Sequence, residues 1–124
     1  MLSLYSNYDS SGKTDGKING GLNGLQEFRA QAQRMTDEEG LLISLISSTT
    51  GTLYIEYTNI VGEPYDFQET KDTEINTSTS PYVFFSIKKA PYFRIRFKNT
   101  SSSKQDYFKL DTFLIKGANQ RIYG

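Results

Sequence analysis

The chain has 124 residues, 14 of them basic and 14 acidic, for a formal net charge of zero, and it contains neither cysteine nor histidine. That length fits one domain that buries about two thirds of its unfolded surface without staples. The missing cysteine excludes disulfides, thiolate nucleophiles and cysteine zinc sites. The missing histidine removes Ser-His and Cys-His pairs and the common zinc and iron ligand sets, so neither an enzyme nor a cofactor is expected. Charge balance also removes long-range steering toward nucleic acid or an anionic membrane, although local patches remain.

Nine tyrosines and eight phenylalanines, with many Ser, Thr and Asn, suit sheet better than helix. At the start, Leu2 and Leu4 alternate with Ser3 and Tyr5 as a short first strand whose partner must lie far away in sequence. This start has no basic region followed by an apolar one, and no apolar run approaches a membrane span, so neither a secretion signal nor a span is expected. From Asp9 to Gly24, five of the ten glycines mix with Asp, Ser, Lys and Asn. Such a stretch buries too little apolar surface to offset its ordering entropy and reads as an arm or long loop.

Leu25 to Met35 fits two periods. Leu25, Phe28, Ala32 and Met35 share a helical face, whereas Phe28, Ala30 and Ala32 alternate with Arg29, Gln31 and Gln33 as in a strand; the strand is preferred because all that follows is β. Leu41 to Ile46 is nearly all apolar, which predicts a central strand covered on both faces. After the turn Ser47 to Gly51, Leu53, Ile55 and Tyr57 alternate with Tyr54, Glu56 and Thr58, and the two strands read as a hairpin. Tyr65 to Thr70 is an irregular strand anchored by Phe67. Pro81 opens Tyr82 to Ile87, with Val83, Phe85 and Ile87 expected inward.

Tyr92 to Asn99 shows the clearest alternation: Phe93, Ile95 and Phe97 on one side, Tyr92, Arg94, Arg96 and Lys98 on the other. The last strand, Asp106 to Lys116, places Phe108, Leu110 and Leu114 on one face and Tyr107, Phe113 and Ile115 on the other. Seven or eight short strands with turn residues every eight to twelve positions describe an all-β, antiparallel sandwich of jelly-roll type. The expected organisation is a Gly-rich N-terminal strand and arm over 1–24, the sandwich over 25–118 and a tail over 119–124.

Candidate chemistry is thin. Ser11-Gly12-Lys13-Thr14 matches the end of a phosphate-binding P-loop, but Asn7 stands where a glycine is required and no strand-to-helix setting surrounds it. Asp9 and Asp15 lack calcium-loop spacing. Asp37, Glu38 and Glu39 lie in a turn, and Asp66, Glu69, Asp72 and Glu74 in a polar segment, where solvated acids are a better reading than a glycosidase pair. Asn76-Thr77-Ser78 and Asn99-Thr100-Ser101 match the glycosylation pattern, which has little force without a signal peptide.

Lys88, Lys89, Arg94, Arg96 and Lys98, interleaved with Tyr82 and Tyr92 on an expected hairpin, have two readings. One is a cationic ribbon for a partner, a protein in preference to nucleic acid; the other is an outer face neutralised across strands by residues such as Glu56, which zero net charge favours. Phe113 and Ile115, adjacent on an outer face with Tyr107, fit a subunit contact. The candidate partner-binding residues are therefore Tyr92, Arg94, Arg96, Lys98, Tyr107, Phe113 and Ile115.

Gly51-Thr52-Leu53-Tyr54-Ile55-Glu56-Tyr57, an aromatic at Phe67, and Pro91-Tyr92-Phe93-Arg94-Ile95-Arg96-Phe97-Lys98-Asn99 resemble motifs of the β-sandwich modules found in virion proteins of tailed phages and large DNA viruses. The resemblance covers about Phe28 to Leu114, with Thr58 to Gly62 and Phe67 replacing that family's usual Ser-x-Asp-Gly and Trp. It implies a capsid, spike or tail component in a virion that assembles as a homo-oligomer or docks on other virion proteins. An alternative is a carbohydrate- or receptor-binding module that uses the loops Asn59 to Glu63 and Lys71 to Ser80 for a host glycan or receptor.

Overall fold

A computed structural model describes residues 2–3, 22–62 and 64–116. Among them are nine strands and no helix: β1 (Leu2–Ser3), β2 (Glu27–Arg29), β3 (Gln33–Arg34), β4 (Glu38–Ser47), β5 (Gly51–Thr58), β6 (Phe67–Thr73), β7 (Tyr82–Ile87), β8 (Tyr92–Asn99) and β9 (Phe108–Lys116). Every strand pairing is antiparallel. One sheet runs β1-β9-β4-β7 and the other β2-β8-β5-β6, with β3 also on β8. With β2 and β3 counted as one interrupted strand along β8, eight strands interleave between two sheets as in a jelly roll. The all-β sandwich expected from the alternation is therefore the fold.

The period of two builds the core. Leu41, Ile43 and Leu45 of β4 and Phe108, Leu110 and Leu114 of β9 face Leu53, Ile55 and Tyr57 of β5 and Phe93, Ile95 and Phe97 of β8, all of them buried. Each such side chain contributes about 1.5–3 kcal/mol by leaving water. The sheets meet at three rings, with Phe97 5.1 Å and Phe28 6.1 Å from Phe108 between centroids. Leu25 to Met35 supplies β2 and β3, as the alternation favoured. β1 pairs with β9, over a hundred positions away, placing Leu2 opposite Leu114. Of the Gly-rich stretch, Leu22 is in the core, and its carbonyl accepts from Gln105 N while its own N–H donates to Gln105 Oε1. Ser11 to Thr14, Asp9 and Asp15 lie outside the described residues.

Four expectations are corrected. β4 and β5 do not form a hairpin: the chain crosses between sheets at Ser48 to Thr50, so that both strands turn their apolar faces to one core from opposite sides. The Ser47 hydroxyl donates to Thr49 O at 2.8 Å and accepts from Gln105 Nε2 at 2.9 Å, which holds this corner. Only glycine fits next, because a Cβ on Gly51 would run into the Phe97 ring and Lys98 O. β7 and β8 are likewise in different sheets, so Lys88 and Lys89 do not join Arg94, Arg96 and Lys98 on one ribbon. β4 is central, but the described residues cover only one of its faces; Leu42 and Ile46 on the other are half-buried.

The fourth correction concerns apolar side chains that face water. Val83, Phe85 and Ile87 point outward, while Tyr82, Phe84 and Ser86 face the core. The reason is polar: the buried Tyr57 hydroxyl lies 2.7 Å from Ser86 Oγ, which donates to Glu69 Oε1, with Lys89 Nζ 3.3 Å from the same oxygen. A strand apolar on both faces turns inward the face that satisfies these groups. Phe67 is no anchor either, since on edge strand β6 it overhangs the core and is 42% exposed.

Burial pushes the Tyr57 phenol up to about 12, so it stays a neutral hydrogen-bonding group across the physiological range. Tyr57→Phe, which leaves Ser86 short of a partner across the sandwich, is expected to cost about 1–2 kcal/mol in urea unfolding. Among the described residues, Thr112 Oγ1 is the buried side-chain polar atom without a hydrogen-bond partner. Thr112→Val removes that liability at nearly constant volume and is expected to raise stability by about 1 kcal/mol, read from the same denaturation curves.

Candidate functional site

The two outer sheet faces differ in kind. On the β2-β8-β5-β6 sheet, alternation sends Tyr92, Arg94, Arg96 and Lys98 of β8 outward, and register sets Glu56 of β5 opposite Arg94, and Tyr54 and Arg29 on either side of Arg96. Glu56 is only 4% exposed. Its Oε1 accepts from Arg94 Nε at 2.9 Å and Arg96 Nε at 3.0 Å, and Arg94 Nη2 approaches the same oxygen to 2.7 Å. Its Oε2 accepts from Gln68 Nε2 at 2.6 Å and Arg96 Nη2 at 3.2 Å. Arg96 Nη1 continues to Glu27 Oε1 at 2.6 Å, and the other oxygen of Glu27 takes two bonds from Arg29.

Aromatic faces complete the layer, with Arg94 over Tyr65 at 4.3 Å and Arg96 over Tyr54 at 4.2 Å. Burial pushes the Glu56 carboxyl up, but hydrogen bonds from Arg96, Arg94 and Gln68 outweigh it and hold the group below its ordinary value. Arg96 feels the converse: burial lowers its value, while the bond to Glu56 and the charges of Glu56 and Glu27 raise it further. Arg29, Glu56, Tyr65, Gln68, Arg94 and Arg96 border a cleft of about 550 Å³ with Pro64. Cross-strand neutralisation by Glu56 is thus what the structure has, although in a buried network and not a solvated face.

The other candidates divide between the sheets. Tyr92 is half-buried with Arg34 at 5.8 Å from its ring centre, and Lys98 pairs in register with Glu27. Tyr107 donates its hydroxyl to Asn76 O at 2.6 Å and borders an apolar cleft of about 430 Å³ with Ile46 and Phe108. Phe113 and Ile115 are half-buried on the outer face of the β1-β9-β4-β7 sheet, opposite Leu42 and Gly40. Across β4, Leu42 is opposite Phe85 and Gly40 opposite Ile87. One apolar surface therefore spans three strands, and its most exposed members are Val83, Phe85 and Ile87 at 58%, 47% and 65%. Sequence reasoning placed those three in the core; the signal available was that β7 is apolar on both faces.

Both glycosylation-like asparagines are structural. Asn76 Nδ2 donates to Leu45 O at 2.7 Å, and fully buried Asn99 donates to Asn23 O at 3.0 Å and Ser103 O at 2.9 Å. Among the described residues no three acidic side chains gather as a metal site, and no helix is long and apolar enough to cross a membrane. Comparison of the chain with protein-family models, curated proteins and solved structures finds no match.

Glu56 is the keystone of the charged layer. Glu56→Gln leaves two guanidinium groups short of their counter-charge and is expected to destabilise the fold by about 3 kcal/mol at neutral pH. With its folded-state value below 4.5, Glu56 contributes stability that is present above the ordinary carboxylate range and lost as pH falls through the depressed value. Denaturation midpoints measured from neutral to acid pH are expected to fall less steeply below the ordinary value for Glu56→Gln than for the native chain.

Proposed function

We propose that this protein is a non-catalytic structural module of a virion, acting by self-association and by docking on other virion proteins through the outer face of the β1-β9-β4-β7 sheet. The observation that carries the assembly reading is the exposed stripe Val83, Phe85 and Ile87, continuous with Leu42, Phe113 and Ile115. Contiguous apolar surface of this kind marks an interaction site, whereas scattered apolar residues do not. Covering the three exposed side chains is worth about 2–5 kcal/mol per copy, allowing for their partial exposure. The virion setting rests on the motif resemblance and on a jelly-roll order that capsid proteins share with lectins and other domains, a fold-level analogy.

Chemistry supports the non-catalytic part. The most buried carboxylate on the charged face, Glu56, is held ionised by two arginines, the opposite of the raised pKa a general acid needs. The alternative, a receptor-binding module, draws on the tip of the β5–β6 loop, where Ile60 and Val61 are 82% and 53% exposed. Those side chains suit a protein receptor better than a glycan.

The test is light scattering coupled to size-exclusion chromatography over a range of concentrations. The native chain is expected to be oligomeric, and Phe85→Glu with Ile87→Glu to weaken association at least tenfold while leaving the thermal midpoint within a few degrees. A native chain that stays monomeric throughout, and binds a protein receptor through Ile60 and Val61, would establish the alternative.

A further inference from the structure

We infer that β7 is the seam of a two-fold dimer, in which β7 strands of two copies pair edge to edge, antiparallel about Phe85, and join two four-stranded sheets into one. This deepens the assembly reading and rests on it. The first ground is that, among the described residues, β7 ends its sheet, paired with β4 alone. Lys88 N–H donates to Glu39 O at 2.8 Å. Alternate residues of a strand direct their backbone groups to the same side, so those of Ser86, Phe84 and Tyr82 bond β4, and those of Ile87, Phe85 and Val83 are directed to the free edge.

The second ground is that this edge lacks the devices by which sheets avoid pairing. Edge strands are ordinarily blunted by charge, proline, a bulge or brevity. β6, the corresponding edge of the other sheet, carries Glu69, Lys71 and Asp72, and β1 is two residues long. Tyr82-Val83-Phe84-Phe85-Ser86-Ile87 has no charge and no internal proline over six residues.

The third ground is self-complementarity. Val83, Phe85 and Ile87 are the residues of β7 that offer edge groups, and the antiparallel register that uses all three matches Phe85 with Phe85 of the second copy and Val83 with its Ile87, forming about six backbone hydrogen bonds. All of these side chains are on the exposed face, and every cross-seam pair there is apolar. Beyond it, Lys88 falls opposite Tyr82 and Lys89 opposite Pro81, so no like charges meet. The arrangement is isologous, and it doubles the apolar platform available to a further protein.

Single cysteines test the register, because the chain contains none of its own. At a hydrogen-bonded antiparallel pair the Cα atoms are about 5.5 Å apart, within disulfide reach. Phe85→Cys is expected to form a covalent dimer under mild oxidation. Val83→Cys and Ile87→Cys are each expected to crosslink at least tenfold less alone, yet to crosslink with each other when mixed. If the native chain is oligomeric but Phe85→Cys crosslinks no better than Val83→Cys, the seam is wrong and the assembly reading stands. If the native chain is monomeric at every concentration, both fall.

Discussion

The contact on which the structure depends is the stack of Phe97, Phe108 and Phe28 between the sheets, with Phe97 and Phe108 5.1 Å apart between centroids. It joins β8 of one sheet to β9 of the other, so both strands must present one apolar face in the same plane. Once they do, the pleat leaves no freedom. Arg94 and Arg96 must project from the far side of β8, and Phe113 and Ile115 from the far side of β9. The two outer faces are thus by-products of one inner contact, and their contrasting chemistry follows from what alternates with the core residues.

That contrast orders the functional reading. The charged face saturates itself: Glu56 accepts from Arg94, Arg96 and Gln68, while Glu27 takes Arg96 and Arg29. Truncating one partner of such a network is costly because the others remain buried and charged. The apolar face has no comparable closure among the described residues. A surface whose polar groups are already bonded gains little from a partner, whereas one whose apolar groups face water gains by being covered. The sheet that looks less chemical is therefore the stronger candidate for association.

Two polar devices carry structural detail beyond their size. The link from Tyr57 through Ser86 to Glu69 ties β5, β7 and β6 across the sandwich and sets which side of β7 is inner. Asn99 and Gln105 bind the backbone around Leu22, extending the core past the last residues that alternation alone would assign to it. Neither is a hydrophobic contact, yet each decides where hydrophobic residues go.

The sequence by itself determined the strands, the sandwich and the inner faces of β5, β8 and β9, because there apolar residues alternate with polar ones and only one parity keeps charge out of the core. It also pointed to Glu56 as the neutraliser of Arg94 and Arg96, since like charges on one strand need an opposite charge on a neighbour. Only the tertiary structure decided which way β7 faces. Both of its sides are apolar, so burial energy hardly separates them, and the choice falls to hydrogen bonds with Tyr57 and Glu69, distant in sequence. Tertiary structure also decided that β4 to β5 and β7 to β8 are crossings between sheets. A short turn closes a hairpin or a corner equally well, and the outcome depends on which partner strands, far along the chain, complete each sheet.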